Sequence, residues 1–385
     1  MPEAPSRRGL LSGLLPAGGL ALAGAALAGS APLAAPLPDG LGALARRGGR
    51  FYGAATSSWL LERDPAFARA FAAECGMIVP ESEGKWDALR PGPGRFDFSG
   101  LERLLAFAGR NDLAFRGHCL VWHAALPGWV TDALRNATPD AARGLLEDHI
   151  AAVVGRTRGR AQSWDVVNEA IDVDAGPDGL RRTPWLEALG PAYIDIAFRA
   201  ARRADPDARL VYNDYGTDAA DPPSRRKRAA VLALLRGLRE RGVPVDALGI
   251  QAHLTRGDAL DAGELRAYAR EAGALGLEVY VTELDVWEAR SAGSPAERDA
   301  AVAGHVRDFL IPVLDEPAVR GVLTWGLSNR YSWLTSDYAP WARRADGSPN
   351  RGLPLDGELR RTPVWDAVAG ALDRSRGAGG RRQTK

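Results

Sequence analysis

The chain has 385 residues, and its 49 Lys and Arg against 48 Asp and Glu leave a formal net charge of +1 at pH 7. So balanced a charge excludes the broad positive field that binding to nucleic acid or to an anionic membrane surface requires. Two cysteines, Cys75 and Cys119, are too few for a disulfide framework, and we expect both to be buried free thiols.

The first 35 residues are typical of an export signal rather than of a folded domain. Arg7 and Arg8 form a twin-arginine pattern, and an uncharged run rich in Gly, Ala and Leu follows until Asp39. The run is long enough to span a membrane, but its many small residues and Pro16 would make a poor spanning helix. We therefore interpret 1–35 as a twin-arginine signal peptide, which predicts export to the periplasm or the medium without a remaining membrane anchor.

Strand-like and helical segments alternate through the rest of the chain. Eight short apolar runs are predicted strands, namely 51–56, 76–80, 113–118, 161–168, 210–213, 247–251, 277–282 and 321–325. Seven segments between them are predicted helices, namely 65–75, 101–110, 141–155, 193–204, 225–241, 262–274 and 296–314. Eight alternating units predict a parallel sheet closed into one (β/α)8 barrel over 45–370. The tail 373–385, rich in Arg and Gly, is predicted to be disordered.

Two of the predicted strands end on a glutamate. Residues 164–169 read Trp-Asp-Val-Val-Asn-Glu, and residues 277–283 read Leu-Glu-Val-Tyr-Val-Thr-Glu. The carboxyl ends of parallel barrel strands meet at one face, so Glu169 and Glu283 would share a space there. Two carboxyl groups are the minimum equipment for cleaving a glycosidic bond by acid/base or nucleophilic chemistry. A lone glutamate would more often form a surface ion pair, so the other strand ends decide between the two interpretations.

The other strand ends carry a concentration of polar and aromatic residues. At this face the predicted barrel gathers Glu81, Ser82, Lys85, His118, Trp122, His123, Asn168, Asn213, Gln251, His253, Asp285, Trp325 and Trp333. Residues scattered by structural need alone would not collect at one face. The pattern therefore favours a catalytic interpretation of the two glutamates.

These motifs resemble those of glycoside hydrolase family 10, the endo-β-1,4-xylanases, over roughly 51–368. The most specific matching stretches are 117–123, 164–169, 251–253, 282–285 and the pair Trp325 and Trp333. The resemblance implies retaining hydrolysis of internal bonds in xylan or xylo-oligosaccharides by double displacement. We expect a monomeric enzyme that needs no cofactor.

The resemblance also implies roles for individual residues. Glu169 would be the general acid/base and Glu283 the nucleophile, while Asn168 would hold the 2-hydroxyl of the sugar being cleaved. His253 would lie between Glu283 and Asp285. Contacts to the sugars are implied for Glu81, Ser82, Lys85, His118, Trp122, Gln251, Trp325 and Trp333, the last two leaving no room for the hydroxymethyl group of a hexose.

Physical chemistry supports this division of roles. A retaining site needs one protonated and one ionised carboxyl group. A hydrogen bond from His253, oriented by Asp285, would keep Glu283 ionised. Glu169, between apolar neighbours and facing a second carboxylate, is expected to keep its proton.

Several of these residues also have plainer interpretations. Asp285 could pair with an arginine, Trp86 could equally pack in the core, and Trp59 and Trp129 are assigned to packing. His123 is more often a structural histidine than a sugar ligand. The spacing of His118 and His123 is not a zinc motif, and we predict no metal site.

Three positions depart from the family pattern: Ser82 replaces an asparagine, Asn329 an acidic residue and Gly216 a polar residue. Ser82 puts the strength of a neighbouring subsite in question, and Asn329 the ordering of the loop between Trp325 and Trp333. Two other functions stay open from the sequence. One is a different β-1,4-glycanase, such as a cellulase or mixed-specificity enzyme, and the other is a non-catalytic carbohydrate-binding barrel.

Overall fold

The structure is a computed structural model that describes residues 39–175, 179–288, 290–337 and 339–380. The predicted signal peptide, 1–35, lies outside the described residues. Within the described part of the chain, no helix combines the length and apolar character needed to cross a membrane.

Nine parallel strands form the sheet, and eight of them close into a barrel. The strands are β1 Phe51–Thr56, β2 Met77–Pro80, β3 Ala114–Gly117, β4 Ala161–Asn168, β5 Arg209–Asp214, β6 Ala247–Ile250, β7 His253–Thr255, β8 Glu278–Trp287 and β9 Val319–Thr324. Neighbours pair in chain order from β1 to β6, β6 pairs with β8, and β9 joins β8 to β1, which closes the ring. The short β7 pairs with the end of β8. The predicted (β/α)8 barrel is confirmed.

Thirteen α-helices are present in the described residues. They are α1 Leu41–Arg47, α2 Ser58–Arg63, α3 Pro65–Glu74, α4 Trp86–Leu89, α5 Ser99–Arg110, α6 Gly128–Arg135, α7 Pro139–Thr157, α8 Pro184–Leu189, α9 Ala192–Ala204, α10 Pro222–Glu240, α11 Ala262–Ala274, α12 Pro295–Leu314 and α13 Pro363–Gly380. Each predicted helix overlaps one of these. The predictions missed the short helices in the loops, the C-terminal α13 and α1. The buried Leu41 of α1 moves the start of the fold before residue 45.

Five helices begin with the same local signal, a capping side chain followed by proline. The caps are Asp64, Thr138, Thr183, Asp221 and Ser294, and each side chain accepts a hydrogen bond from a backbone N–H of the first turn. Proline at the first helical position lacks an N–H that would have no partner there, and its fixed φ suits the helix. These starts are therefore encoded locally.

Helix α13 runs into the C-terminal tail that was predicted to be disordered from Asp373. It continues to Gly380. Its earlier turns bury Val364, Val368 and Leu372. Once those turns are packed, each further residue adds one backbone hydrogen bond at little nucleation cost. Residues 381–385 lie outside the described residues.

The core has one layer between strands and helices and smaller clusters inside the barrel. Cys75 and Cys119 are buried free thiols, as predicted. Gly249 on β6 is required by packing, because a Cβ there would collide with the Asn213 side chain. That side chain points toward the carboxyl-terminal face, where the strands open into a cavity.

Candidate active site

The carboxyl ends of the strands surround a cavity of about 420 Å³. The residues that line it are Lys85, His118, Trp122, Asn168, Glu169, Tyr215, Gln251, His253, Leu254, Thr255, Glu283, Asp285, Trp287, Trp325, Trp333, Leu334 and Trp341. Both glutamates singled out from the sequence lie in this lining. A concave site with a few convergent polar groups is the usual form of a binding or catalytic pocket.

The two glutamates are held by different local structures. Glu169 directly follows β4 and has φ of 58°, in the left-handed region that non-glycine residues seldom adopt. Glu283 lies inside β8, which runs five residues beyond the predicted end at residue 282. The strand continues because β7 pairs with it, with His253 opposite Asp285. Glu283 is therefore fixed by strand pairing, whereas Glu169 is fixed at a turn.

Glu283 is buried and accepts hydrogen bonds from two side chains. Its Oε1 accepts from Asn213 Nδ2 at 2.6 Å, and its Oε2 lies 3.1 Å from His253 Nε2. Nδ1 of His253 lies 2.8 Å from Asp285 Oδ1. His253 thus stands between the two carboxylates, each facing one ring nitrogen.

These contacts decide the ionisation of the group. Burial acts to raise the pKa of Glu283, but the hydrogen bond from His253 and the charge of His118 outweigh it and lower that pKa to about 2. Burial likewise opposes protonation of His253, but Asp285 and Glu283 raise its pKa well above the usual range. At neutral pH Glu283 is therefore a carboxylate facing a cationic imidazole.

Glu169 accepts hydrogen bonds from three neutral side chains. Trp122 Nε1 donates to its Oε2 at 2.8 Å, while Gln251 Nε2 and Asn168 Nδ2 lie 3.1 Å and 3.2 Å from its Oε1. Arg181 donates from Nε to the Glu169 backbone carbonyl at 2.9 Å. The side chains that donate to the Glu169 carboxyl group are therefore neutral, unlike those at Glu283, although the cationic Arg181 lies close enough to interact with it electrostatically.

A buried ion-pair chain supports the site from within the barrel. Arg116 donates to Asp165, whose other carboxylate oxygen lies 3.0 Å from His118 Nδ1. Burial would lower the pKa of His118, but the Cys119 sulfur and the carboxylates of Asp165 and Glu283 raise it to about 10. His118 therefore adds a positive charge on the inner side of Glu283, 3.9 Å from its Oε1.

The predicted sugar-contacting residues divide into two groups. Lys85 Nζ lies 5.0 Å from the Trp122 ring and 5.8 Å from the Trp325 ring, and all three line the cavity. Glu81 and Ser82 lie outside its lining. Burial raises the pKa of Glu81 to about 6, and Ser82 is exposed.

The structure decides most of the alternatives left open above. Trp86 belongs to the core, because it is buried and its ring stacks on His149 at 3.5 Å. Asp285 binds His253 and the indole N–H of Trp333, which lies 2.6 Å from its Oδ2, and among the described residues it pairs with no arginine.

Two further aromatic residues were assigned to packing from the sequence. Trp129 is half-buried and donates its indole N–H to Arg90 at 3.0 Å. The assignment of Trp59 is wrong, since it is 53% exposed on the outer side of α2, whose apolar contacts are made by Leu60 and Leu61.

His123 lies beside the site, with Nδ1 3.8 Å from Glu169 Oε2.

Two of the positions that depart from the family pattern have a structural explanation. Gly216 adopts φ of 66°, a conformation that favours glycine. Asn329 is buried, and its side-chain oxygen accepts a hydrogen bond from the Leu353 N–H at 2.9 Å, so it holds the loop that follows Trp325.

Among the described residues, no group of three or more His, Cys, Asp and Glu is arranged to hold a metal ion.

Six residues of the cavity lining had no role predicted from the sequence: Tyr215, Leu254, Thr255, Trp287, Leu334 and Trp341. Asn213, which contacts Glu283 but does not line the cavity, also had none. The two-residue periodicity of a strand could have predicted that Trp287 faces the site, because residues 283, 285 and 287 of one strand share a face. Trp341 carries no such signal, since it follows a long loop.

The chain has extensive similarity to known proteins. The family model of Glycosyl hydrolase family 10 matches residues 40–371. Endo-1,4-beta-xylanase B of Thermotoga neapolitana is 35% identical over 286 residues, which cover 74% of this chain and 79% of the relative. Endo-1,4-beta-xylanase 1 of Humicola insolens is 31% identical over 354 residues, covering 90% and 77%.

Solved structures agree with the sequence matches. Native xylanase 10B from Thermotoga maritima superposes with a TM-score of 0.77 and 32% identity, covering 88% of this chain and 99% of that one. Xylanase 10B from Thermotoga petrophila, solved in complex with xylobiose, gives a TM-score of 0.78 and 31% identity with the same coverage.

Proposed function

The chain belongs to glycosyl hydrolase family 10, and from this premise we propose that it is a retaining endo-1,4-β-xylanase. As a member of the family it is a glycoside hydrolase. Xylan as the substrate is supported by the xylanase names of the relatives and by the xylobiose complex of one solved neighbour. The observation that carries the mechanism is the unequal set of contacts of the two carboxyl groups in one cavity, since Glu283 faces the cationic His253 and His118 whereas only neutral side chains donate to the Glu169 carboxyl group.

In the proposed first step, a Glu283 oxygen attacks the anomeric carbon while Glu169 gives its proton to the departing glycosidic oxygen. The bond to the leaving sugar breaks as the bond to Glu283 forms, so the products are a covalent glycosyl-enzyme and a released fragment whose protonated oxygen is the new hydroxyl at its non-reducing end. An ionised Glu283 is ready for this attack because the charges of His253 and His118 stabilise its carboxylate. Asn168 is proposed to hold the 2-hydroxyl of the sugar being cleaved.

In the second step, Glu169 as a carboxylate removes a proton from water, and the hydroxide oxygen displaces Glu283 from the same carbon. Two inversions leave the anomeric configuration unchanged. Trp122, Asn168 and Gln251 donate to Glu169 and would hold its oxygens in place as its charge alternates. Trp325 and Trp333 are proposed to close over the sugar and exclude a hexose hydroxymethyl group.

Proton NMR of early products from a xylo-oligosaccharide tests the proposal. The β-anomer should appear first, and parallel assays should show far faster hydrolysis of xylan than of carboxymethylcellulose. Initial α-anomer would contradict double displacement. Preference for carboxymethylcellulose would favour a cellulase, and binding without hydrolysis of either polymer would favour a carbohydrate-binding barrel.

We further propose that residues 1–35 direct export by the twin-arginine route to the periplasm or the medium. The paired Arg7 and Arg8 and the uncharged run after them support this proposal. Replacing both arginines with lysine should retain xylanase activity in the cytoplasmic fraction, and unchanged export would overturn it.

A further inference from the structure

A row of three tryptophans leads out of the cavity, and we call Trp333, Trp341 and Trp287 the aromatic shelf. Trp333 lies at the inner end, 5.5 Å from His253 between ring centroids. Trp341 lies 5.9 Å from Trp333 and 5.6 Å from Trp287, edge to face in both cases. The shelf therefore starts beside His253 and continues the lining of the cavity to its rim.

The outer part of the shelf is both open and well anchored. Trp341 is 60% exposed, although it stands on a 3-10 turn, Pro340–Ala342, beside the buried Ala339 and Ala342. The indole N–H of Trp287 donates to the Ala342 carbonyl at 2.9 Å, which ties the loop to the end of β8. Trp341 differs from a singly exposed tryptophan because it continues a row of rings at the cavity rim, and such a contiguous apolar surface indicates contact with a ligand.

An arginine without an acidic partner stands over this surface. The guanidinium carbon of Arg290 lies 4.9 Å from the Trp287 ring centroid, and the side chain is exposed. Nearby arginines pair with carboxylates, Arg343 with Asp337 and Arg344 with Glu288 and Asp346. Within the described part of the chain, no carboxylate lies in ion-pair range of Arg290, so its charge is available to a bound anion.

We propose that the aromatic shelf, with Arg290, binds a uronic acid branch carried by the xylan main chain near the cleavage site. This inference rests on the proposed function and specifies which xylan the enzyme prefers. Aromatic rings provide a flat apolar surface for one face of a pyranose, and a guanidinium provides paired N–H donors for a carboxylate. A uronic acid is the sugar that presents both features at once.

Alternative occupants match the surface less well. A neutral pentose branch or a further main-chain xylose would use the tryptophans but leave the Arg290 charge without a partner. The shelf is also continuous with the cavity that would hold the main chain, so a branch on that chain can reach it. Charge and continuity together favour an acidic branch.

Hydrolysis by Trp341→Ala and Arg290→Gln tests the proposal on glucuronoxylan and on unbranched xylohexaose. We expect Trp341→Ala to lower kcat/KM on glucuronoxylan about five- to tenfold, and Arg290→Gln roughly two- to fivefold. Arg290→Gln, at a residue outside the cavity lining, should change kcat/KM on xylohexaose less than about twofold. Trp341→Ala should lower kcat/KM on xylohexaose clearly less than on glucuronoxylan, because its ring also lines the cavity. Raising the salt concentration should reduce the preference of the wild type for glucuronoxylan, because an exposed charge contact is screened.

A matched pair of control variants is available in the same chain. Trp59 is 53% exposed and carries Arg63 at 6.0 Å from its ring, yet it does not line the cavity. Trp59→Ala and Arg63→Gln should leave both substrates unaffected. Arg290→Lys should restore most of the glucuronoxylan rate, since it keeps the charge that Arg290→Gln removes.

Binding measurements separate this proposal from the proposed function. Titration calorimetry in a Glu283→Ala background should show tighter binding of a uronic acid-branched xylo-oligosaccharide than of its unbranched equivalent. Trp341→Ala and Arg290→Gln should abolish that difference. Equal affinities would overturn the inference even if xylan is hydrolysed, as would equal losses on both substrates, which would mark a main-chain subsite. Failure of the proposed function would instead appear as no hydrolysis of either substrate by the wild type.

Discussion

Nδ2 of Asn213 lies 2.6 Å from Glu283 Oε1 and 2.9 Å from Asn168 Oδ1. One amide group at the end of β5 therefore connects the β8 glutamate with the end of β4, where Glu169 follows. Thr282 in turn donates to Asn213 Oδ1 at 2.6 Å, which fixes the orientation of the amide. Asn213 therefore contacts both halves of the site, and we expect it to position them.

Asn213→Ala should lower kcat on xylan roughly 10- to 100-fold, because a hydrogen bond to a charged group is removed. The Michaelis constant should change much less, since the amide contacts Glu283 and Asn213 does not line the cavity that would hold the substrate. Steady-state kinetics will measure both constants. Asn136→Ala, at an exposed site on the end of α6, is the control and should match the wild type. A kcat within twofold of the wild type would show that Asn213 has no positioning role.

His253→Ala should lower kcat about 100-fold and also change the pH profile. Without the histidine, burial still raises the pKa of Glu283 but its strongest opposing contact is lost. That pKa should therefore increase, and the acid limb of kcat/KM should move to higher pH. An unchanged acid limb would mean that another group controls the acid limb.

The same contact contributes to stability with a definite sign. The pKa of Glu283 is lowered in the folded state from 4.5 to about 2, so its contribution is complete above pH 4.5. The contribution is lost as the pH falls through the folded pKa. Urea unfolding at several pH values should show that His253→Ala loses less stability than the wild type between pH 4.5 and 2.

Trp122→Phe should distinguish the contribution of the Trp122 indole N–H to activity from that of its aromatic ring. The variant keeps an aromatic surface but loses the donor to Glu169 Oε2 at 2.8 Å. We expect kcat/KM on xylan to fall about tenfold, with a smaller effect on an aryl xyloside whose leaving group needs little protonation. Equal losses on both substrates would instead indicate that the ring contacts the sugar common to them.

Ser82→Asn should raise kcat/KM on xylotriose or longer substrates several-fold. An asparagine offers a donor and an acceptor that the shorter serine hydroxyl cannot both replace, and one neutral hydrogen bond contributes about 0.5–1.5 kcal/mol. Ser82 is exposed, so the larger side chain has room. An aryl xyloside, which does not reach this sugar position, should react at an unchanged rate. A loss on xylotriose would show that this subsite is packed differently.

Glu288→Gln should destabilise the fold, although Glu288 itself does not line the cavity. Glu288 is buried, pairs with Arg298, and lies 3.2 Å from Arg344. Removing its charge leaves the buried Arg298 without its partner, at a cost of about 3–5 kcal/mol in the free energy of unfolding. Urea denaturation will measure this cost, with the exposed Asp132→Asn, which loses only a surface pair with Arg135, as the control. Similar stability of the two variants would contradict this expectation.

The outline of the barrel follows from local patterns, and its errors have physical causes. Strands β1 and β4 agree with the predicted bounds, because apolar runs and polar ends are local signals. Strand β8 exceeds its prediction because β7 pairs with residues that no local pattern marks as strand. Helix α13 passes Asp373 because its earlier turns are already packed.

The sequence by itself determined the number of strand–helix units and the gathering of Glu169, Glu283 and His253 at one face, since strand ends of a parallel barrel share a face. Only the tertiary structure decided which groups bond to one another. Asn213 reaches Glu283 across 70 positions of sequence, and Trp341 reaches the cavity rim from a loop after β9. Such contacts depend on strand register, barrel closure and the path of the loops. The spacing of neighbouring residues in the sequence does not determine any of these.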